Sequence, residues 1–108
     1  MKRMSASTIT IIPYYQIIDS LDEFIRKNSY TYRDWYVGLT ANVEEHLFNE
    51  HQLSPETDVW IFEAIPDARE GARIREYFLN MGCVSGISDV TYQAQYIYLY
   101  RRSAKSNP

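Results

Sequence analysis

A strand that passes directly into a helix constrains the fold of this chain more than any other feature. The run Trp35–Leu39 is aromatic and apolar, which favours a pleated, half-buried strand. Gly38 removes a side chain near the end of that run, which permits a tight turn or a close backbone approach. Asn42 and Glu45 have the spacing of a capping box, which predicts a helix beginning at Val43. The sequence therefore predicts a strand, a glycine break, a cap and a helix in immediate succession.

The remaining elements follow from the spacing of apolar residues. Helical spacing predicts helices at residues 14–27, 43–51 and 68–81. Apolar or alternating runs predict strands at 59–65 and 91–101, and residues 8–12 read either as a strand or as the lead-in to the first helix. This order predicts an α+β fold, a small three- or four-stranded sheet with about three packed helices. We expect one domain over residues 1–108, with flexible tails at about 1–7 and 103–108.

Several of these elements carry finer predictions. The helical period of residues 14–27 places Asp22 on the polar face. The run at 59–65 is apolar almost throughout, as expected for a strand covered on both faces. In the third helix, Asp67 stands at the N-cap and Gly82 at the position of a left-handed stop.

Composition limits the classes of function. The net charge of −3 is mild and argues against a protein whose main role is coating DNA or RNA. Cys83 is the one cysteine, so no internal disulfide forms, and we expect a buried or incidental thiol rather than a nucleophile. No apolar run approaches the ~18–20 residues of a membrane helix, and residues 1–7 lack the apolar core of a signal peptide. These observations predict a cytoplasmic protein without a membrane partner.

The last predicted strand, residues 91–101, alternates strictly and carries tyrosines on one face. Tyr96, Tyr98 and Tyr100 lie on that face, whereas Ile97 and Leu99 lie on the other. The tyrosine face either packs under a helix or forms a contact surface for a protein, a second copy of the chain or stacked bases. We take these three tyrosines as the candidate interaction surface.

Residues Tyr36–Leu47, with the sequence YVGLTANVEEHL, resemble the second half of the GIY-YIG nuclease signature. The stretch Ala72–Leu79 resembles the later helix of that family, and Glu76 falls on its metal-binding position. The resemblance covers roughly residues 34–82. The chain departs from the family in two ways: His46 replaces an arginine, and no Gly-Ile-Tyr strand precedes Tyr36.

The resemblance implies a GIY-YIG-like core and metal-assisted phosphodiester hydrolysis. Glu76 would hold Mg²⁺ or Mn²⁺, Tyr36 would orient or deprotonate water, and His46 would face the developing phosphate charge. Substrate-binding positions implied by the same comparison are Gly38, Thr40, Asn42 and Asn80. A structural interpretation of the same residues stays open, with Tyr36 as a strand aromatic, His46 paired with Glu50 on a helix surface, and Glu76 solvated.

Two functions are therefore carried forward from the sequence. The first is a divergent nucleic-acid-binding domain or weak metal-dependent nuclease. The second is a non-catalytic protein-interaction module, homo-oligomeric through the tyrosine-rich strand. A metal site made by His46 and His51 is not expected, because residues five apart do not share a face of an α-helix.

Overall fold

The computed structural model describes residues 14–28, 31–86 and 94–103. It has the predicted α+β architecture, a three-stranded antiparallel sheet with helices packed on it. The main elements are α1 (Tyr14–Asn28), β1 (Trp35–Thr40), β2 (Trp60–Ala64), α2 (Ala68–Met81) and β3 (Tyr96–Arg101). A 3₁₀ turn at Tyr32–Asp34 leads into β1, and a π-helix at Glu45–Glu50 follows it. The strand predicted at residues 8–12, the start of the strand predicted at 91–101, and residues 1–7 and 104–108 lie outside the described residues.

The strand order in the sheet is β1-β3-β2, so the C-terminal strand is the central one. The expectation that residues 59–65 form a strand covered on both faces is wrong: β2 pairs with β3 along one edge, and 43% of Phe62 is exposed. An apolar run does not distinguish a central strand from an edge strand that exposes aromatic side chains. Strand order depends on where the last strand inserts, and no local pattern records that.

One face of the sheet is covered by α1 and α2. Alternation along β1 directs Trp35, Val37 and Leu39 to this face, where they join Ile97 and Leu99 of β3. The helices contribute a stripe of buried apolar residues, namely Ile17, Leu21 and Ile25 from α1 and Ile74 and Phe78 from α2. Together with the strand residues on this face, they form the larger of the two cores.

The other face of the sheet is covered by the π-helix. A second cluster of buried residues lies there, consisting of Tyr36, Leu47, Leu53, Tyr98 and Tyr100. The predicted alternation of β3 is therefore confirmed, but the prediction that Tyr98 and Tyr100 form an open surface is wrong, because both are fully buried. Tyr96, at the start of β3, is half-buried. The tyrosine side chains pack under a helix, one of the two outcomes that their alternation allowed.

The ends of α2 are fixed by local chemistry, as predicted. Asp67 Oδ1 accepts a 2.8 Å hydrogen bond from the Glu70 N–H, which satisfies one of the unpaired amides of the first turn. At the other end Gly82 adopts φ 121°, and the Cys83 N–H donates to the Phe78 carbonyl at 2.9 Å. Cys83 is buried, as expected, and burial raises the pKa of its thiol to about 12.

Asp22 of α1 is buried rather than solvated, so its predicted position on the polar face is wrong. Its Oδ1 accepts a 2.9 Å hydrogen bond from the Tyr32 hydroxyl, and its Oδ2 accepts a 2.7 Å hydrogen bond from the Tyr77 hydroxyl. A buried carboxyl group is tolerated where such donors replace the water it loses. The helical period cannot foresee these donors, because one comes from the 3₁₀ turn and the other from α2.

Candidate functional site

The segment after β1 begins with the predicted cap. Asn42 Oδ1 accepts a hydrogen bond from the Glu45 N–H at 3.1 Å, and Thr40 Oγ1 accepts one from the Asn42 N–H at 2.9 Å. The helical turn that follows widens, since the His51 N–H donates to the His46 carbonyl five residues earlier, at 2.9 Å. A left-handed residue, Gln52 with φ 62°, then ends the helix. The helix predicted at 43–51 is present, but most of it is a π-helix.

The π-helical spacing brings two histidines to the same side of the segment. The ring centroids of His46 and His51 are 6.4 Å apart. The expectation that these two side chains do not share a helix face is therefore wrong, because that expectation assumed α-helical geometry. The spacing of apolar residues predicted an α-helix here, because π-helices are rare.

His51 is buried between two tyrosines of β3. Its Nε2 lies 2.8 Å from the Tyr98 hydroxyl oxygen, and its Nδ1 lies 3.1 Å from the Tyr100 hydroxyl oxygen. A neutral imidazole donates from one nitrogen and accepts at the other, so it can satisfy two hydroxyl groups at once. The ring also lies against Tyr36, with centroids 4.6 Å apart. His51 was not among the predicted site residues, although it is the polar centre of this cluster.

Tyr36 is itself a buried member of the cluster. Its ring stacks on Tyr100 at 5.1 Å and on Tyr98 at 6.2 Å, both nearly parallel. Its hydroxyl oxygen accepts a 2.8 Å hydrogen bond from the Gly86 N–H. The GIY-YIG resemblance implies a further tyrosine on a strand upstream of Tyr36. The structure instead places tyrosines beside it from β3, the last strand of the chain, which pairs directly with β1.

His46 lies at the open side of this face. Its Nδ1 is 2.6 Å from Thr40 Oγ1, and its Nε2 is 3.6 Å from a carboxylate oxygen of Glu50, the pair predicted for a helix surface. The adjoining cleft has a volume of about 310 Å³ and includes Glu45 beside Asn42. Two carboxylates next to the imidazole give this cleft acidic surroundings, which disfavour a phosphate.

Of the predicted substrate-binding residues, Gly38, Thr40 and Asn42 lie on the same strand-to-helix junction as His46. Gly38 is a buried residue of β1 and pairs with Tyr98 of β3. The structure therefore brings these three together with His46 and Tyr36. The fourth, Asn80, lies elsewhere.

Glu76 and Asn80 are exposed on α2 and line a shallow groove of about 490 Å³ with Arg69, Arg73 and Tyr77. The buried side of α2 packs against the sheet face that carries Val37. Tyr36, which precedes Val37 in β1, points to the opposite face of the sheet. The structure therefore does not bring Glu76 together with Tyr36 and His46.

Arg75 of α2 binds Gly86, the residue whose N–H binds the Tyr36 hydroxyl group. Its Nε donates to Ser85 Oγ at 3.1 Å and its Nη2 donates to the Gly86 carbonyl at 3.3 Å, while the Gly86 N–H binds Tyr36. Ser85 in turn donates to the Val37 carbonyl at 2.6 Å. The positive charge of the Arg75 guanidinium near this contact disfavours a divalent cation beside the Tyr36 hydroxyl group. Among the residues described, no three histidine, cysteine or acidic side chains converge as metal ligands.

A second candidate site runs along the edge strand β2. Four aromatic rings form a continuous row on the π-helix side of the sheet, and we call it the aromatic strip: Phe48, Trp60, Phe62 and Tyr96. Trp60 stacks on Phe62 at 6.3 Å with the rings 5° from parallel, and Phe62 meets Tyr96 edge-on at 5.7 Å. The π-helix covers one end of the strip through Phe48, whereas Phe62 stays exposed. The alternation of Trp60 and Phe62 in the sequence is consistent with an aromatic row on one face of β2. The prediction missed this row because it assumed that both faces of the strand are covered.

Comparison with protein-family models, curated proteins and solved structures found no match to this chain. None of the helices in the described part of the chain has the length and apolar character needed to cross a bilayer.

Proposed function

We propose that this chain is a non-catalytic protein-interaction module that binds an extended, apolar segment of a partner along β2. The observation that carries the proposal is the aromatic strip, which runs along the edge strand β2 and includes the exposed ring of Phe62. A strand added to a sheet edge gains main-chain hydrogen bonds, and neighbouring side-chain contacts give it specificity.

The backbone of β2 is oriented for such an addition. The Val59 carbonyl accepts from the Arg101 N–H at 2.9 Å, and the Ile65 N–H donates to the Gln95 carbonyl at 3.0 Å. Because pairing alternates along an antiparallel strand, every second residue from 59 to 65 faces β3. Trp60, Phe62 and Ala64 consequently direct their N–H and C=O groups outward, and no residue in the described ranges pairs with them.

The side chains of β2 include neither lysine nor proline, two of the residues with which natural edge strands discourage pairing. β2 has one charged residue, Glu63, and its carboxylate accepts a 2.8 Å hydrogen bond from Ser20 of α1 on the opposite face. The aromatic side is therefore uncharged along the whole strand, which suits an apolar partner segment.

The interior of the predicted nuclease site supports a non-catalytic role. Tyr36 is buried with its hydroxyl group bound to Gly86, and the α2 residue next to that contact is Arg75 rather than Glu76. The net charge of −3 and the acidic surroundings of His46 add to the case against nucleic acid as the main ligand.

Site-specific photo-crosslinking tests this proposal. A benzoylphenylalanine replacing Ala64, an exposed residue at the outer edge, should crosslink to one defined segment of one protein species in cells. Adding Phe62→Lys should abolish that adduct, because a charge replaces the exposed ring at the centre of the strand. Adding Tyr15→Lys, at an exposed ring on α1, is the matched control and should leave the adduct unchanged. An adduct that survives Phe62→Lys, or scattered adducts with many proteins, would remove β2 as the binding surface.

A further inference from the structure

Resting on the proposed function, we infer that the segment which binds β2 is β2 of a second copy of this chain, antiparallel and centred on Phe62. The contact would be isologous, with the same strand contributed by each copy around a twofold axis. It would join two three-stranded sheets into one of six strands, within the usual size of a sheet.

The outward-facing backbone groups select the register. A twofold axis at an outward-facing residue places that residue opposite itself and lets it exchange two hydrogen bonds with its copy. Among Trp60, Phe62 and Ala64, only Phe62 stands at the middle of the strand Trp60–Ala64. Centring there pairs the whole strand, whereas centring on either of the other two leaves part of it without a partner.

In this register the side chains are complementary in size. Trp60 lies opposite Ala64 of the copy, so each large ring meets the smallest side chain of the strand. Phe62 lies opposite its own copy, and the two exposed rings cover each other. Because Trp60 and Phe62 already stack within one chain, the four rings would form one continuous aromatic surface across the axis.

The charges are compatible with the same arrangement. Glu63 lies opposite Ile61 of the copy, so the two Glu63 carboxylates do not face each other. Each carboxylate also keeps its Ser20 partner on the α1 side of the sheet. Like charges directly opposite each other destabilise a strand pair, and this register avoids them.

Cysteine crosslinking of the full chain tests the register. Phe62→Cys should form a covalent dimer with a bis-maleimide too short to span the roughly 13 Å of four strand residues. Ala64→Cys is the matched control and should stay monomeric, because its two copies lie four residues apart. The native Cys83 is buried and does not compete. A dimer from Ala64→Cys but not from Phe62→Cys would overturn the register, and none from either would overturn self-pairing.

Charge exchange at the axis gives a second, independent test. Sedimentation should show a dimer for the wild type, monomers for Phe62→Lys and for Phe62→Glu alone, and a dimer again when the two variants are mixed. Residue 62 is an exposed position, and circular dichroism melting should confirm that both variants remain folded. A mixture that stays monomeric, or a wild type that is monomeric throughout, would overturn the inference. If the crosslinker at residue 64 still captures a different protein, the proposed function stands without self-pairing; if it captures nothing, both fail.

Discussion

The hydroxyl group of Tyr77 donates a 2.7 Å hydrogen bond to Oδ2 of Asp22 and so joins α2 to α1. Tyr32 donates to the other oxygen of the same carboxyl group, which ties the 3₁₀ turn before β1 to both helices. One buried acidic side chain thus connects α1 both to the turn that follows it and to α2, whose Tyr77 lies 55 residues away in sequence. Its removal from water is compensated only while both phenols donate to it.

Tyr77→Phe should destabilise the domain by about 1.5–3 kcal/mol, because it removes one hydrogen bond to a buried carboxyl group and keeps the ring. Urea denaturation measures the change in the free energy of unfolding. Tyr96→Phe, on the opposite sheet face, is the matched control and should shift it far less. Equal changes in the free energy of unfolding would show that the hydrogen bond from Tyr77 to Asp22 contributes no more than the hydroxyl group of Tyr96 does.

The same cluster predicts instability at alkaline pH. Burial, followed by the hydrogen bond to Asp22 and its negative charge, raises the pKa of Tyr32 and of Tyr77 from 10.0 to about 12. Because the folded state favours the protonated phenols, their contribution is fully present below pH 10 and is lost as pH rises towards 12. Thermal melting from pH 8 to pH 12 should show this loss. A Tyr32→Phe/Tyr77→Phe double variant should start less stable and lose less over that range; an equal loss in both proteins would exclude these two phenols as the cause.

Asn42→Ala should lower the free energy of unfolding by about 1 kcal/mol, through loss of the cap bond to the Glu45 N–H. Asn49→Ala, an exposed asparagine on the same helical segment, serves as the control and should change it little. If the two asparagines prove equivalent in chemical denaturation, the cap does not stabilise the π-helix.

Phe62→Ala should cost less than about 1 kcal/mol, because the ring is 43% exposed on an edge strand and leaves no enclosed cavity. The contrasting variant is Leu99→Ala, at a fully buried position of the central strand, for which a loss of about 2–5 kcal/mol is expected. Both are measured by urea denaturation at a concentration where the chain is monomeric. A larger loss for Phe62→Ala than for Leu99→Ala would contradict the strand order.

Nuclease activity can be tested directly. Purified protein with Mn²⁺ should not nick supercoiled DNA or cleave RNA, because Arg75 rather than Glu76 approaches the Tyr36 contact. Cleavage lost in Glu76→Ala and raised by His46→Arg would instead support the activity that the GIY-YIG resemblance implies. Cleavage unaffected by either change would indicate a contaminating enzyme.

The parts of the fold that sequence predicts are those decided by neighbouring residues. The caps at Asn42 and Asp67 and the stop at Gly82 depend on hydrogen bonds within a few residues, and all three are present. The alternation of β3 was also readable, but whether its tyrosines are buried depends on β3 lying at the centre of the sheet. That position is a property of the whole topology.

The candidate site was harder to predict, because a shift of one residue along a helix moves a side chain to a different face of that helix. Arg75 and Glu76 are adjacent, yet one residue along an α-helix rotates a side chain by about 100°. Arg75 therefore binds Ser85 and Gly86, while Glu76 is exposed. A resemblance in residue types cannot resolve that difference without the contacts of each side chain.

The π-helix also bears on how this chain should be aligned with others. His46 and His51 share a side because the backbone bond between them spans five residues. An α-helix puts residues four apart on one side, so a chain with one residue fewer between these histidines presents both of them in the same way. A one-residue gap within residues 47–50 therefore leaves the two histidine side chains on the same side of the helix. Sequences that differ by such a deletion should be aligned with both histidines matched, even though their spacing is unequal.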